Sequence, residues 1–361
     1  MSDQPTPVTP HEVALLRLVA QRLAGPRFEK PVDVVRWLGA MQAQDYPGAL
    51  TSVALRTRER SRAGVEAALD AGEVVRSWPM RGTLHLTPAV DLPWMLATTA
   101  PRMLTSTARR RTALGLDDEA LARARAEAEG ALAGGGRLTR ADLMARWEAA
   151  GLAPAGGRGY HLLFHLALTG VLCFGPVRGN EQEIVLLPEW VPQPVRMERD
   201  EALAEWALRF FRSHGPATVQ DLARWAGITV TDARRGAAAA ASSLISVVLD
   251  GVTLLLDPQT PELLAAHRRD ARGVLLLPGF DELILGYADR THTLERTHEN
   301  LVVPGGNGVF APTVVADGRV VGTWRHAGRG AKRTLTTSPF AAGGFSPTVA
   351  RAVEAAYGGL P

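Results

Sequence analysis

Three short segments of the chain repeat one pattern: Asp33-Val-Val-Arg36-Trp37, Asp142-Leu-Met-Ala-Arg146-Trp147 and Asp221-Leu-Ala-Arg224-Trp225. A repeat constrains the fold more tightly than any compositional figure, because each copy must bury its apolar face by the same means. Every copy places an acid near the start of a helix-period run and Arg-Trp one turn later. Thr139 and Thr218 stand three residues before the second and third acids, the Thr-x-x-Asp spacing of a capping-box-like helix start.

The surroundings of each copy follow one order. Ahead of the first lies an amphipathic run from His11 to Leu23, with Val13, Leu16, Val19 and Leu23 at helical spacing. A helical run leads from Tyr46 towards Arg58, and two strand-like runs, Val74 to Trp78 and Thr83 to Leu86, flank the turn Pro79-Met80-Arg81-Gly82. In the second copy Glu119 to Leu132, Thr139 to Glu148 and Gly159 to Leu168 read as helices. Val171 to Pro176 and Ile184 to Leu187 are its strands, around Arg178-Gly179-Asn180. The third has Glu201 to Phe211, Thr218 to Ala226 and Thr231 to Ala241 as helices, and Leu244 to Leu249 with Val252 to Leu256 across Asp250-Gly251, a strong hairpin signal. Helix, helix, helix, hairpin is the order of a winged helix.

The expected architecture is therefore a predominantly helical α+β fold with three tandem winged helices. The first spans 1–114 and includes a helical insertion from Ala89 to about Leu114; the second spans 115–194 and the third 195–259. From about Thr260 the texture changes to short β-leaning runs: Val274 to Leu277, Leu283 to Tyr287, Asn300 to Val303, Val309 to Val315, Val320 to Arg325 and Arg333 to Thr336. Residues 260–361 read as a small open sheet or β-barrel-like region closed by a helix from Ser346 to Tyr357.

Several function classes fall away. The weakly polar stretch Gly236 to Leu249 is shorter than the roughly 18 apolar residues of a membrane span. The polar, Pro/Thr-rich Met1 to Pro10 has no export signal, so a cytoplasmic location is expected. One cysteine, Cys173, in an apolar run excludes a disulfide framework and reads as a buried thiol. His161 and His165 share a helix face but lack an obvious third ligand, and neither a metal nor another cofactor is expected. Net charge is only +3, so a nucleic-acid surface has to be a local patch. Of 40 basic residues just two, Lys30 and Lys332, are lysine. A GC-rich coding sequence explains the arginine excess; guanidinium is also the better fork for phosphate.

The most unusual polar segment is Met41-Gln42-Ala43-Gln44-Asp45-Tyr46-Pro47, in the turn after the first Arg-Trp segment. Locally extended, it aims Gln42 and Gln44 to one side and Asp45 to the other. Amides are poor bases, yet they hold water and present carbonyl dipoles to positive charge. From the residues alone, amides that cap the turn or touch phosphates are the favoured reading.

Three blocks in order, Met41 to Leu50, Arg76-Ser-Trp-Pro-Met-Arg-Gly-Thr-Leu-His-Leu86 and Leu277-Pro-Gly-Phe-Asp-Glu-Leu-Ile-Leu-Gly-Tyr-Ala-Asp-Arg290, resemble the AlkZ/YcaQ family of DNA glycosylases from about Pro10 to about Tyr357. The resemblance implies three winged helices, a C-terminal β-barrel and a catalytic Gln-Φ-Gln signature that lines up on Gln42 and Gln44, with Ala43 a smaller Φ than usual and Asp45 a possible support. It implies hydrolysis of the N-glycosidic bond of bulky N7-alkylated purines in double-stranded DNA, interstrand crosslinks among them. A monomer is expected. The alternatives are a winged-helix transcriptional regulator and a DNA-binding protein without catalysis.

Two further expectations follow. A lyase needs an amine for Schiff-base formation, and neither Lys30 nor Lys332 lies in a matched block, so the enzyme is expected to be monofunctional. On the first hairpin Leu84 and Leu86 should face inward with Thr83 and His85 outward, while Arg76 and Arg81 suit phosphate. Arg109 and Arg110 are further candidates for DNA contact. Trp78 is assigned to the core, and Asp281, Glu282 and Asp289 to structural ion pairs.

Overall fold

A computed structural model describes residues 6–179, 181–306, 308–328 and 333–361. It divides into two compact units, one formed by Met1–Arg62 with Leu203–Pro361 and the other by Ala63–Ala202. Both mix helices with antiparallel sheet. Lys332 and Asn180 lie outside the described residues.

In the two-segment unit, the Pro10–Ala20 helix starts at Thr9, whose hydroxyl accepts from the Glu12 amide. It is buried along nearly all its length, with Leu15, Leu16, Leu18 and Val19 in one cluster with Leu277, Leu283 and Ile284. The Pro31–Leu38 helix ends at Gly39, where φ is +77° and an added Cβ would stand 3.2 Å from the Trp225 ring. Only glycine meets both demands without strain. The Tyr46–Ala54 helix follows, and Arg199–His214, Val219–Ala226 and Val230–Ala239 form a second helical group. Thr218 and Asp221 cap the Val219–Ala226 helix reciprocally, as their spacing predicts. Ile245–Leu249 pairs with Val252–Leu256 across Asp250 and Gly251, both at positive φ.

The C-terminal strands form an open antiparallel sheet. Among the described residues its order is Thr334–Pro339, Arg319–Ala327, Thr313–Ala316, Val274–Leu277, without closure into a barrel, and the Pro347–Gly358 helix packs on it. Two runs expected as strands are short helices instead. Glu282–Leu285 turns helical because Asp281 caps it, accepting from the Leu283 amide, and Glu299–Val302 continues a 3-10 turn begun at Arg296. An apolar run of four or five residues carries no period of its own, so the cap decides.

In the Ala63–Ala202 unit, Asp118–Leu132, Arg140–Ala149 and Arg158–Leu168 are helices, with the Thr139/Asp142 capping box in place. Val74–Met80 and Thr83–Pro88 pair around Arg81 and Gly82, both at positive φ, and this hairpin joins the one made by Leu172–Arg178 and Glu181–Leu186. The sequence places Pro79 and Met80 in the turn; the chain keeps them in the strand through a bulge after Ser77. Leu92–Ala113 is one 22-residue helix. Trp78 is core, edge-on to Phe164 and tilted against Phe174.

Candidate functional site

Gln42 closes a two-residue strand after Gly39 and is buried; Ala43 is buried, whereas Gln44 and Asp45 are exposed. What fixes this turn comes from far along the chain. The amide of Gln42 donates to Oε1 of Glu282 at 3.1 Å. The other oxygen, Oε2, accepts from Nε1 of Trp225 at 2.9 Å and lies 3.3 Å from Nε2 of His214, whose Nδ1 meets the Ser213 hydroxyl at 2.8 Å. Glu282, His214 and Trp225 are all inaccessible to solvent. A buried carboxylate is tolerated only when hydrogen bonds replace its water.

The neighbouring acid does the same for the far end of the Tyr46–Ala54 helix. Asp281 accepts from the Ser52 hydroxyl at 2.7 Å and from two nitrogens of Arg56. Arg56 also donates to both oxygens of Gln21, and Gln21 donates to the Tyr287 hydroxyl, which in turn donates to the His214 carbonyl. Burial raises the Tyr287 phenol, so it stays protonated and serves as that donor. The Arg17 guanidinium lies 3.6 Å from the Tyr287 ring centroid. Asp221 and Arg224 hold the block's other end, taking the Ala288 amide and the Tyr287 carbonyl.

The turn joining these parts is tight. Phe280 adopts φ +62°, uncommon for a non-glycine residue. At the start of the Tyr46–Ala54 helix, a Cβ on Gly48 would come within 2.5 Å of an Asp45 carboxylate oxygen and 3.4 Å of the Gly279 carbonyl. Asp45 therefore folds back over the first turn of its own helix.

The residues read as DNA contacts on the first hairpin fall differently. His85 is fully buried, its Nδ1 2.8 Å from the Thr83 carbonyl and its Nε2 3.0 Å from Arg81. The outward placement fails because Leu84, His85, Leu86 and Thr87 are buried in succession: both faces of this strand are covered, and alternation no longer separates them. Thr83 and Arg81 are half-buried. Arg76 donates to the side-chain Oε1 of Gln182 at 2.8 Å and lies over the Phe174 ring. Arg109 and Arg110 are exposed at the end of the Leu92–Ala113 helix. Facing that helix end, His161 and His165 are held below the usual imidazole range, first by burial and then by Arg110 and Arg111 for the former and Arg111 for the latter. No group of three metal-ligating side chains occurs among the described residues. Lys30 is exposed, immediately before the Pro31–Leu38 helix.

Asp281 and Glu282 are the residues whose importance the sequence understates. Two adjacent acids inside Leu275–Tyr287, an otherwise apolar stretch, are the signal that could have revealed them, since burial there demands partners.

Comparison with known proteins places the chain among enzymes that act on N-glycosyl bonds of DNA. The family model described as "DNA glycosylase AlkZ-like" matches residues 35–360, and the chain belongs to this family. It is a DNA glycosylase, a hydrolase acting on N-glycosyl bonds. An interstrand DNA cross-link repair glycosylase from Streptomyces sahachiroi is 30% identical over 341 residues, covering 90% of this chain and 89% of that protein. The solved structure of the Streptomyces sahachiroi DNA glycosylase AlkZ aligns with a TM-score of 0.80 at 28% identity, over 97% of this chain and 95% of that one. No helix among the described residues is long and apolar enough to cross a membrane.

Proposed function

We propose that this glycosylase removes bulky N7-alkylated purines from double-stranded DNA, with Gln42 and Gln44 orienting the attacking water. The observation that carries this reading is the anchored turn: Gln44 is exposed while the backbone two residues earlier is bonded to a buried carboxylate. An N7-alkylpurine is already cationic, so the bond between N9 and C1′ breaks with its electron pair passing to the base, which leaves neutral without a strong general acid. Water adds at C1′ and releases its proton to solvent. Amide oxygens fixed in advance stabilise the oxocarbenium-like sugar at no cost in reorganisation. Asp45 adds negative potential at the edge of the site.

The Streptomyces sahachiroi relative is a cross-link repair glycosylase, which supports extending the substrate range to interstrand crosslinks. We read the chain as a cytoplasmic monomer of three tandem winged helices, 1–114, 115–194 and 195–259, with Arg109 and Arg110 following phosphates. Arg76, Arg81 and Thr83 line the first wing, and His85 acts there by holding Arg81 rather than by touching DNA. The enzyme is monofunctional, leaving an abasic site, since its two lysines, Lys30 and Lys332, both stand in the sequence outside the three matched blocks.

The test is base release from a duplex carrying one N7-alkylguanine, read as strand cleavage after heating with alkali. Wild type is expected to release the base; Gln42→Ala and Gln44→Ala are each expected to slow release about 10²–10³-fold. Release untouched by both substitutions would move the site elsewhere. Strand breaks without alkali would overturn the monofunctional assignment.

A further inference from the structure

The third Arg-Trp segment departs from the other two in where its indole donates. Nε1 of Trp37 donates to the carbonyl of Ala20 at 2.7 Å, and Nε1 of Trp147 to the carbonyl of Ala124 at 3.0 Å, each tying its helix to the helix before it. Trp225 spends the same donor on the Glu282 carboxylate. The preceding helix, Arg199–His214, contributes to that carboxylate as well, through Nε2 of His214 at 3.3 Å. A contact made with the backbone in two copies is redirected to a buried acid in the third, and that acid holds the Gln42 amide.

We propose that Glu282 is a positioning residue for base excision, acting through the backbone of Gln42 to fix the aim of the two glutamines. The proposal rests on the reading of Gln42 and Gln44 as the catalytic pair. Three observations converge on it. First, the bond to Gln42 is charge-assisted and wholly buried, which makes it both strong and directional. Second, Oε2 is held by a side chain that cannot turn away: Trp225 lies against Trp206, Phe210 and His214, with ring centroids 5.5, 5.2 and 5.1 Å apart. Third, Asp281, one residue earlier, grips Ser52 and Arg56 at the far end of the Tyr46–Ala54 helix. One dipeptide thus brackets the segment that carries Gln44, with Glu282 before it and Asp281 beyond it. Amide carbonyls stabilise a transition state only from fixed positions, and displacements near 1 Å remove much of the effect.

The experiment compares full-length wild type, Glu282→Gln and Gln44→Ala in single-turnover release from a duplex bearing one bulky N7-alkylguanine, N7-benzylguanine. Duplex affinity and Tm are measured in parallel. Glu282→Gln keeps the volume and removes the charge. It is expected to lower the rate constant at least tenfold while the Kd for the duplex stays within about twofold. A purely structural role would instead lower the amplitude, through a smaller folded fraction, and leave the rate constant at the wild-type value; that result overturns the proposal. Should Glu282→Gln fail to fold, amide exchange on the wild type decides. The Gln42 amide is expected to be as protected as the Tyr46–Ala54 helix, and exchange as fast as an exposed loop overturns the assignment. The two readings fail separately. If wild type releases no base, the substrate reading falls and the positioning role with it. If wild type is active, Gln44→Ala is impaired and Glu282→Gln keeps its rate constant, only the positioning role falls.

Discussion

Arg56 closes a two-pronged ion pair on Asp281, Nη1 to Oδ2 at 2.9 Å and Nη2 to Oδ1 at 3.0 Å, with neither side chain exposed. Its remaining donors go to Ser52 and Gln21, so all five guanidinium N–H groups have acceptors. Such a pair is costly to break from one side, because the other charge is left buried and alone. Asp281→Asn or Arg56→Met should lower unfolding free energy by about 3–5 kcal/mol in urea titrations. A loss in the range of an exposed pair, about 0–1 kcal/mol, would show that the pair does not hold the Tyr46–Ala54 helix in place.

Gly286→Ala tests the packing behind Glu282. A Cβ there would stand 2.6 Å from Cδ2 of His214, and the histidine ring is already stacked on Phe210 with centroids 4.8 Å apart. Alanine at a compatible backbone normally stabilises by restricting the unfolded chain. Here overpacking should win, lowering stability by about 1–3 kcal/mol. A variant that melts at or above the wild-type temperature would mean the ring has room to retreat.

Cys173 provides a reporter of global unfolding. It sits buried on the Leu172–Arg178 strand, and burial pushes its thiol well above the ordinary range, so the reactive thiolate is scarce. A disulfide-exchange reagent at pH 8 should label it only at the rate of unfolding, and completely in denaturant. Immediate stoichiometric labelling of the native protein would contradict this.

Mild acid should destabilise the fold through its histidines. His161, His165, His292 and His326 are held below 6.5, in each case chiefly by burial. The unfolded chain therefore takes up protons first as pH falls. Their contribution is complete above 6.5 and declines as pH drops towards the lowered folded-state values. Asp289 and Asp317, held below 3.8, act only in stronger acid, where stability present above 3.8 is lost. Tm should fall between pH 6.5 and 5, and the double variant His161→Gln/His165→Gln should flatten that slope. An unchanged slope in the variant would remove these two residues from the account.

What could be read from the residues was what is decided locally. The caps at Thr139 and Thr218 and the turn at Asp250-Gly251 appear where their spacing placed them, because each is settled within four residues. Alternation places His85 on the wrong face because it assumes one wet face, and both faces of its strand are covered. The helix Glu282–Leu285 reads as a strand in the sequence because its cap, Asp281, is one residue in an apolar run. At the site, Gln42 and Gln44 stood out by chemistry alone. Their support did not, since nothing near Glu282 names Gln42, Trp225 and His214 as its partners.

That separation sets an order of events during synthesis. Gln42 and Glu282 are 240 residues apart, and at about 5–20 residues per second a ribosome delivers the second roughly ten to fifty seconds after the first. Until then the Gln42–Gln44 turn has no carboxylate to close on, and the nascent chain carries its glutamines without the frame that aims them. A message broken or stopped before codon 282 yields a polypeptide that holds the glutamine pair but not the anchor. A base-excising activity assembled last, by contacts that span the chain, is withheld from every incomplete copy.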